Sequence, residues 1–242
     1  MLNKHQKLER NSIVFLLCII ITISIGGIVQ VVPLFRKEQV VEKIEGIRPY
    51  TPLELAGQDI YIREGCNTCH SQQIRVLRDE VERYGHYSLR AESKYDHPFV
   101  WGSKRTGPDL ARIGGKYSDE WHAAHLKNPR DVVPESIMPT YKFLANRGVK
   151  SSDIADRLRV LKMEGVPYTE EMILEAYNDL VAQARKDGDA PDLQKRYGKV
   201  NVRDFDGAEK FTSEMDALIA YLQVTGTMAD FKTYKPEHKS KE

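Results

Sequence analysis

Cys66, Cys69 and His70 stand in the spacing C-x-x-C-H. Two thiols two residues apart can add to the two vinyl groups of one haem, and the histidine that follows is then held under the iron as an axial ligand. The pentapeptide implies one covalent haem c, a redox role, and attachment outside the bacterial cytoplasm. A thioredoxin-like thiol pair and half of a zinc site are the rival readings. The chain has only 3 cysteines among 242 residues. The third, Cys18, lies in an apolar run, so a thiolate zinc site lacks its second cluster. No βαβ pattern surrounds the motif, which leaves the thioredoxin reading without its frame.

A low-spin electron carrier needs a second axial ligand. Met138 is the best-placed candidate, because a proline-bounded loop, Pro134 to Pro139, can aim a thioether that a helix face would pack away. Met163, Met172 and Met215 sit at helical positions and read as core filler, and Met228 lies near the C-terminus. His97, which precedes a proline in a loop, is the chief competitor. His86, His122 and His125 read as surface or packing residues. Thioether ligation raises the haem potential relative to a second histidine, which suits delivery to an oxygen-reducing partner.

His70 also needs its other ring nitrogen fixed, commonly by a backbone carbonyl. Pro108 has a restricted φ and can present one rigidly, although an ordinary turn proline has the same appearance. Arg105, Arg112, Lys116 and Arg130 are candidate partners for haem propionates; solvated surface charge is an equal reading of each.

The elements that must position these residues follow from hydropathy and capping. Ser12 to Phe35 contains no charge, and 24 helical residues span roughly 36 Å, enough for a bilayer core. The run ends in VVPLFRKEQ without an A-x-A-like cleavage site, so an uncleaved anchor is favoured over a removed signal. Leu17 before Cys18 argues against a lipoprotein anchor. Basic residues flank both ends of the span (Lys4, Lys7 and Arg10; Arg36, Lys37, Lys43 and Arg48), so charge does not orient it. The haem motif does: residues after Phe35 are expected in the periplasm and the N-terminus in the cytoplasm. A net charge of +1 gives no bulk attraction to nucleic acid. Mean hydropathy is −0.49 despite the apolar segment, so the remainder faces water.

Residues 36–50 read as a charged stalk. Thr51 and Pro52 open a helix that leads to the haem motif and carries Gly57 and Tyr61 on one face. Residues 71–104 read as a polar insertion, followed by the turn signals Gly107-Pro108-Asp109-Leu110 and Gly114-Gly115. Ser118 caps a helix ending near Asn128-Pro129. Residues 151–163 and 170–186 read as helices, the second capped by Thr169, stopped by Gly188 and striped by Ile173, Ala176, Tyr177, Leu180 and Ala184. A polar linker then runs to about 210. The last helix covers 214–224 between Ser213 and Gly226, with Met215, Leu218, Ile219 and Leu222 facing inward. Residues 229–242 have too little apolar content to order themselves. No convincing strand set appears, so the soluble part is mainly α.

In this order the motifs resemble a class I cytochrome c: Gly57-x-x-x-Tyr61, the haem motif, Gly107-Pro108-Asp109-Leu110, Met138-Pro139 and Leu218-Ile219-Ala220-Tyr221-Leu222. In that fold the first and last helices cross at glycine and aromatic positions, roles that Gly57, Tyr61, Leu218 and Tyr221 fit. CNTCHSQQIR, YDHPFVWGSKRTGPDLARIGGKYSDEWH, NPRDVVPESIMPTYKFL and SEMDALIAYLQ, with the VPYT-containing insertion, are similar to the mono-haem subunit of cbb3-type cytochrome c oxidases over almost the whole chain. That resemblance implies His70/Met138 ligation and a single-pass anchor in the bacterial inner membrane. It also implies a complex with a catalytic haem–copper subunit and a di-haem cytochrome c subunit, in which this chain relays electrons and its partner reduces O2 and pumps protons. The expected organisation is an anchor at 1–35, a stalk at 36–50, a cytochrome c domain at 51–228 with insertions at about 71–104 and 150–205, and a polar tail at 229–242. The alternative is the cytochrome subunit of a membrane nitric oxide reductase, whose smaller domain would not account for the two insertions. Residues Phe99 to Arg105 are either a docking surface for the catalytic subunit or internal packing beside the haem.

Overall fold

A computed structural model of the chain describes residues 2–35, 41–42, 44–102, 104–208, 211–232 and 234. It divides into two units, residues 1–43 and 44–242. The first contains α1 (Leu2–Glu9) and α2 (Ser12–Phe35). Within α2, Ser12–Val32 is long and apolar enough to cross a membrane, and none of it is buried by the protein. A fully exposed run of Ile, Leu and Val needs an apolar solvent, and a bilayer core supplies one. The sequence reading had no counterpart to α1.

The second unit contains α3 (Pro52–Arg63), α4 (Cys66–Cys69), α5 (Arg78–Tyr84), α6 (Asp119–Lys127), α7 (Ile154–Met163), α8 (Glu170–Leu174), α9 (Ala176–Gln183), α10 (Pro191–Tyr197) and α11 (Glu214–Val224). Short 3-10 turns lie at Arg90–Ser93, Pro129–Asp131 and Lys142–Asn146. No strand occurs among the described residues; an isolated bridge joins Gly148 to Ser213. The unit is mainly α, as expected.

The helix starts are chemically specified. Thr51 and Glu54 form a capping box with Pro52 at the first helical position of α3, which satisfies two otherwise orphaned donors. Ser213 and Asp216 do the same for α11. Ser118 and Thr169 each accept from the backbone N–H three residues on. α3 and α11 cross at Gly57, where an added Cβ would lie 2.0 Å from the Ala217 carbonyl oxygen and 2.7 Å from the Tyr221 Cβ. Backbones can approach this closely only without a side chain. Around the crossing, Tyr221 packs against Tyr61 and Tyr50 with centroid separations of 5.5 and 5.7 Å. Every residue of α11 is buried, not only the four on its expected inner face.

Several expectations fail in instructive ways. The insertion at 71–104 is not merely polar: Ile74, Leu89, Ala91 and Val100 are buried. The helix expected over 170–186 breaks at Glu175 into α8 and α9, which turns Tyr177 out of the stripe and leaves it 58% exposed. The expected linker contains α10, whose Leu193 and Tyr197 are buried. Met163 is not core filler, being 80% exposed. The tail begins later than expected, because Ala229 is buried and Phe231 stacks on His86 at 4.6 Å. Most of the stalk's first half and of the tail lies outside the described residues.

Gly57→Ala is expected to destabilise the protein by about 1–3 kcal/mol or more, the range for overpacking a closed core. A thermal unfolding scan followed by circular dichroism measures it; an unchanged midpoint would contradict the tight crossing.

Candidate functional site

α3 delivers the chain to the motif. Gly65, with φ +72°, breaks the helix direction, and Cys66–Cys69 form a single turn closed by His70 N–H donating to the Cys66 carbonyl at 2.9 Å. Residues three apart on one turn share a face. Both thiols are free, Cys66 half-buried and Cys69 exposed. The His70 Nδ1 lies 2.8 Å from the Pro108 carbonyl oxygen. A carbonyl only accepts, so Nδ1 carries the proton and Nε2 keeps its lone pair free for a metal. Gly107 lies against the same ring: a Cβ there would sit 2.2 Å from Cε1. Its N–H donates to the Cys69 carbonyl at 2.9 Å, which pins the turn to the motif.

A polar lock holds this turn. The buried Asp109 carboxylate accepts from the N–H groups of Gln73 (3.0 Å) and Ala111 (2.8 Å) and from the Ser71 hydroxyl. Arg105 donates to the Ser71 hydroxyl at 2.6 Å and to Glu80 at 2.8 Å. Hydrogen bonds from Arg105, and further ones from Arg75, hold the buried Glu80 carboxyl down to about 2. Sequence reasoning missed this lock; Asp109 beside Pro108 was its only visible trace.

The propionate candidates separate here. Arg105 is committed to Glu80 and Asp109. Arg112 is committed to Glu92 at 2.8 and 2.9 Å and stacks over Phe231 at 4.2 Å. Carboxylates of the chain itself therefore occupy both guanidiniums, and neither is a solvated surface charge. Lys116 and Arg130 are exposed. In the Phe99–Arg105 segment, Phe99 is 59% exposed and stacks on Trp101 at 4.6 Å, while Arg105 turns inward. The Trp101 carbonyl accepts from Gln72 N–H at 2.8 Å, so the segment runs beside the motif.

The Met138 loop follows α6. Tyr141 N–H donates to the Leu126 carbonyl at 2.8 Å, tying the end of the loop to that helix. Burial, and then the neighbouring Cys66 and Cys69, raise the Tyr141 hydroxyl, which puts the loop's end beside the thiols. Met138 is half-buried against the core, its N–H 3.2 Å from the Ser136 hydroxyl, and Ile137 next to it is 77% exposed. His125 on α6 stacks on Trp121 at 4.7 Å, and its Nδ1 is buried without a partner. His97, His122 and His86 have other neighbours. His97 Nδ1 lies 3.4 Å from Glu164 at the end of α7. His122 is buried in packing and pushed down to about 4 by that burial. His86 stacks between Tyr87 and Phe231.

These features fit a covalently held haem: two free thiols on one turn, a histidine with its tautomer fixed and Nε2 available, and a glycine where a side chain would strike the ring. The chain matches the family described as cytochrome c oxidase, mono-heme subunit/FixO over residues 5–229, and it belongs to that family. One haem per chain, a place in an oxidase complex and, with α2, association with a membrane follow from that membership. No curated protein matches the chain. Nothing in the geometry favours the nitric oxide reductase alternative.

The lock makes acid sensitivity testable. The folded Glu80 carboxyl titrates near 2, below the roughly 4.3 of an unfolded glutamate. Its stabilisation is therefore complete above about pH 5 and is lost as pH falls towards 2. Glu80→Gln is expected to lower the unfolding free energy by about 1–3 kcal/mol at neutral pH, with the gap to the parent closing across that window. Denaturant titrations at stepped pH measure it; a gap independent of pH would contradict the ion-paired lock.

Proposed function

We propose that this chain carries one covalent haem c and relays single electrons within the oxidase complex. The electrons come from a di-haem cytochrome c subunit or a soluble donor and go to a catalytic haem–copper subunit that reduces O2 to water and pumps protons. The observation that carries the reading is the His70 imidazole, fixed by the Pro108 carbonyl at 2.8 Å directly after the two free thiols.

Cys66 and Cys69 would hold the porphyrin through thioethers, and His70 Nε2 and the Met138 thioether would hold its iron. When bound, the haem supplies a one-electron ferric–ferrous couple. The chain's residues do the rest. The Pro108 carbonyl fixes the His70 tautomer and strengthens Nε2 as a donor. Gly107 lets the turn lie against the ring, and the Asp109–Ser71–Arg105–Glu80 lock keeps the turn in place. Met138 enters from a loop held at Tyr141 by α6. With His70 and Met138 both holding the iron, this chain would serve as a relay and its partner would hold the oxygen chemistry. Arg105 and Arg112 do not enter this reading as propionate partners; Lys116 and Arg130 do. With α2 as a single-pass anchor in the bacterial inner membrane, haem c attachment puts the N-terminus in the cytoplasm and residues 51–228 in the periplasm.

Met138→Ala is expected to abolish the near-infrared thioether-to-ferric charge-transfer band of the purified complex while the haem stays covalently attached on denaturation. Persistence of the band would reassign the ligand. A haem count on the same complex that found no covalent haem would overturn the relay reading.

A further inference from the structure

Asp96 is 5% exposed, and no ion pair reaches it among the described residues. It accepts a hydrogen bond from Gln58 Nε2 of α3 at 2.9 Å, and the Tyr50 hydroxyl and Ser93 also face its carboxylate. It forms one wall of a partly open pocket of about 40 Å³ that Tyr50, Gln72, Ser88, Ser93 and Glu92 help to line. A polar pocket of this size has room for water, since about one probe sphere of volume suffices. The charged and titratable groups around Asp96 are few. Tyr221 of α11 and Tyr50 lie beside it, and His97 follows it in the chain. Glu54 stands behind Tyr50, and Glu92 is neutralised by Arg112 across the pocket.

Side-chain contacts connect the pocket to the haem motif. Gln72 lines the pocket and follows His70 by two residues; the Tyr221 hydroxyl donates to Gln72 Oε1 at 3.0 Å. Tyr61 continues the row, 1% exposed, with its hydroxyl buried beside Cys66. Gln72 also faces the Tyr61 hydroxyl, and neither that hydroxyl nor Gln72 Nε2 makes a hydrogen bond of good geometry, an arrangement that a bound water would relieve. A row of polar side chains thus runs from a buried, unpaired carboxylate to the cysteine turn, through an otherwise apolar core.

We propose that Asp96 and its pocket form an internal proton-binding site whose occupancy follows the oxidation state of the haem held at Cys66, Cys69 and His70. The inference rests on the haem reading above. Inside a protein, charge is poorly screened, so an electron added nearby raises the proton affinity of a buried carboxylate. One electron arrives from the donor and one proton arrives from water through the pocket, adding to a carboxylate oxygen of Asp96. Both leave when the electron passes to the acceptor, so the buried charge is balanced in each state. Burial already raises the Asp96 carboxyl from its ordinary value.

The test is a spectroscopic redox titration of the haem in the purified complex at stepped pH, with the reduced-minus-oxidised infrared difference spectrum. In the parent protein the midpoint potential is expected to fall with rising pH across one interval, and a protonated carboxyl band should grow on reduction. Asp96→Asn should remove both, and its potential at the alkaline end should exceed the parent's, because a neutral amide replaces a carboxylate. Should that variant fail to fold, Tyr50→Phe removes a hydroxyl that stabilises the anion and should move the interval to higher pH. An unchanged pH dependence in a folded Asp96→Asn variant, an unmoved interval in Tyr50→Phe, or no carboxyl band in the parent overturns the proposal. Absence of haem absorbance would instead overturn the reading beneath it.

Discussion

The Gly57 contact governs what the second unit can be. With no side chain between them, the α3 and α11 backbones approach until Gly57 rests on the Ala217 carbonyl. That approach buries all of α11 and packs Tyr61 and Tyr50 at steep angles against the Tyr221 ring. Tyrosine rings supply large apolar area and keep a polar end, so the crossing is both a hydrophobic centre and the start of a buried polar row. α3 ends at Arg63, and the cysteine turn begins at Cys66. The haem motif is therefore aimed by a helix whose own position the crossing sets. A shift of that helix would carry Cys66, Cys69 and His70 away from the Pro108 turn and the Met138 loop together.

What could be read from the sequence divides along physical lines. Signals carried by neighbours in the chain were legible: the Thr51, Ser118, Thr169 and Ser213 caps, the uncharged α2, and the C-x-x-C-H turn. Gly57 and Tyr61 were placed correctly through the resemblance, since nothing local says what a helical glycine touches. What stayed hidden depends on contacts between distant residues. The fates of Arg105 and Arg112 are decided by Glu80, Asp109 and Glu92, from 4 to 25 positions away, and no local pattern tells a paired arginine from a solvated one. The break at Glu175 and the burial of Leu193 and Tyr197 in α10 likewise reflect tertiary packing. Phe231 lies in a stretch too polar to fold alone, and His86 and Arg112 give it a surface.

The insertion at 150–205 is part of the same core. Ile154, Leu158, Leu161, Ile173, Leu180 and Leu193 are all buried, and α7 and α9 pack on α3. Polar contacts fix the register of this packing. Gln183 of α9 meets Thr51 and Glu54 at the start of α3, and Arg48 bridges Glu54 at 2.7 Å while also donating to the Lys199 carbonyl. A buried ion pair is weak evidence of stability, because desolvation offsets much of its attraction. Its directional partners, however, allow only one seating of α9 against α3. The insertion thus braces the helix that aims the haem motif.

The two proposed axial residues are held by different means, and the difference suits their chemistry. His70 is rigid on every side: its Nδ1 is tied to Pro108, its ring faces Gly107, and the turn carrying both is locked through Asp109 to Ser71 and the Gln73 N–H. Rotation of the ring would break the Nδ1 hydrogen bond and strand the Pro108 carbonyl. Met138 has three rotatable side-chain bonds and a polarisable sulfur, so it can adapt its own reach. Its support is accordingly lighter: a backbone bond at Tyr141, a hydroxyl at Ser136, and an exposed Ile137 between them. A fixed imidazole defines the position and plane of the site, and an adaptable thioether closes it. An imidazole on a clamped turn and a soft thioether on a tethered loop could be brought to a haem after the cysteines are joined, without remodelling the helices that carry them.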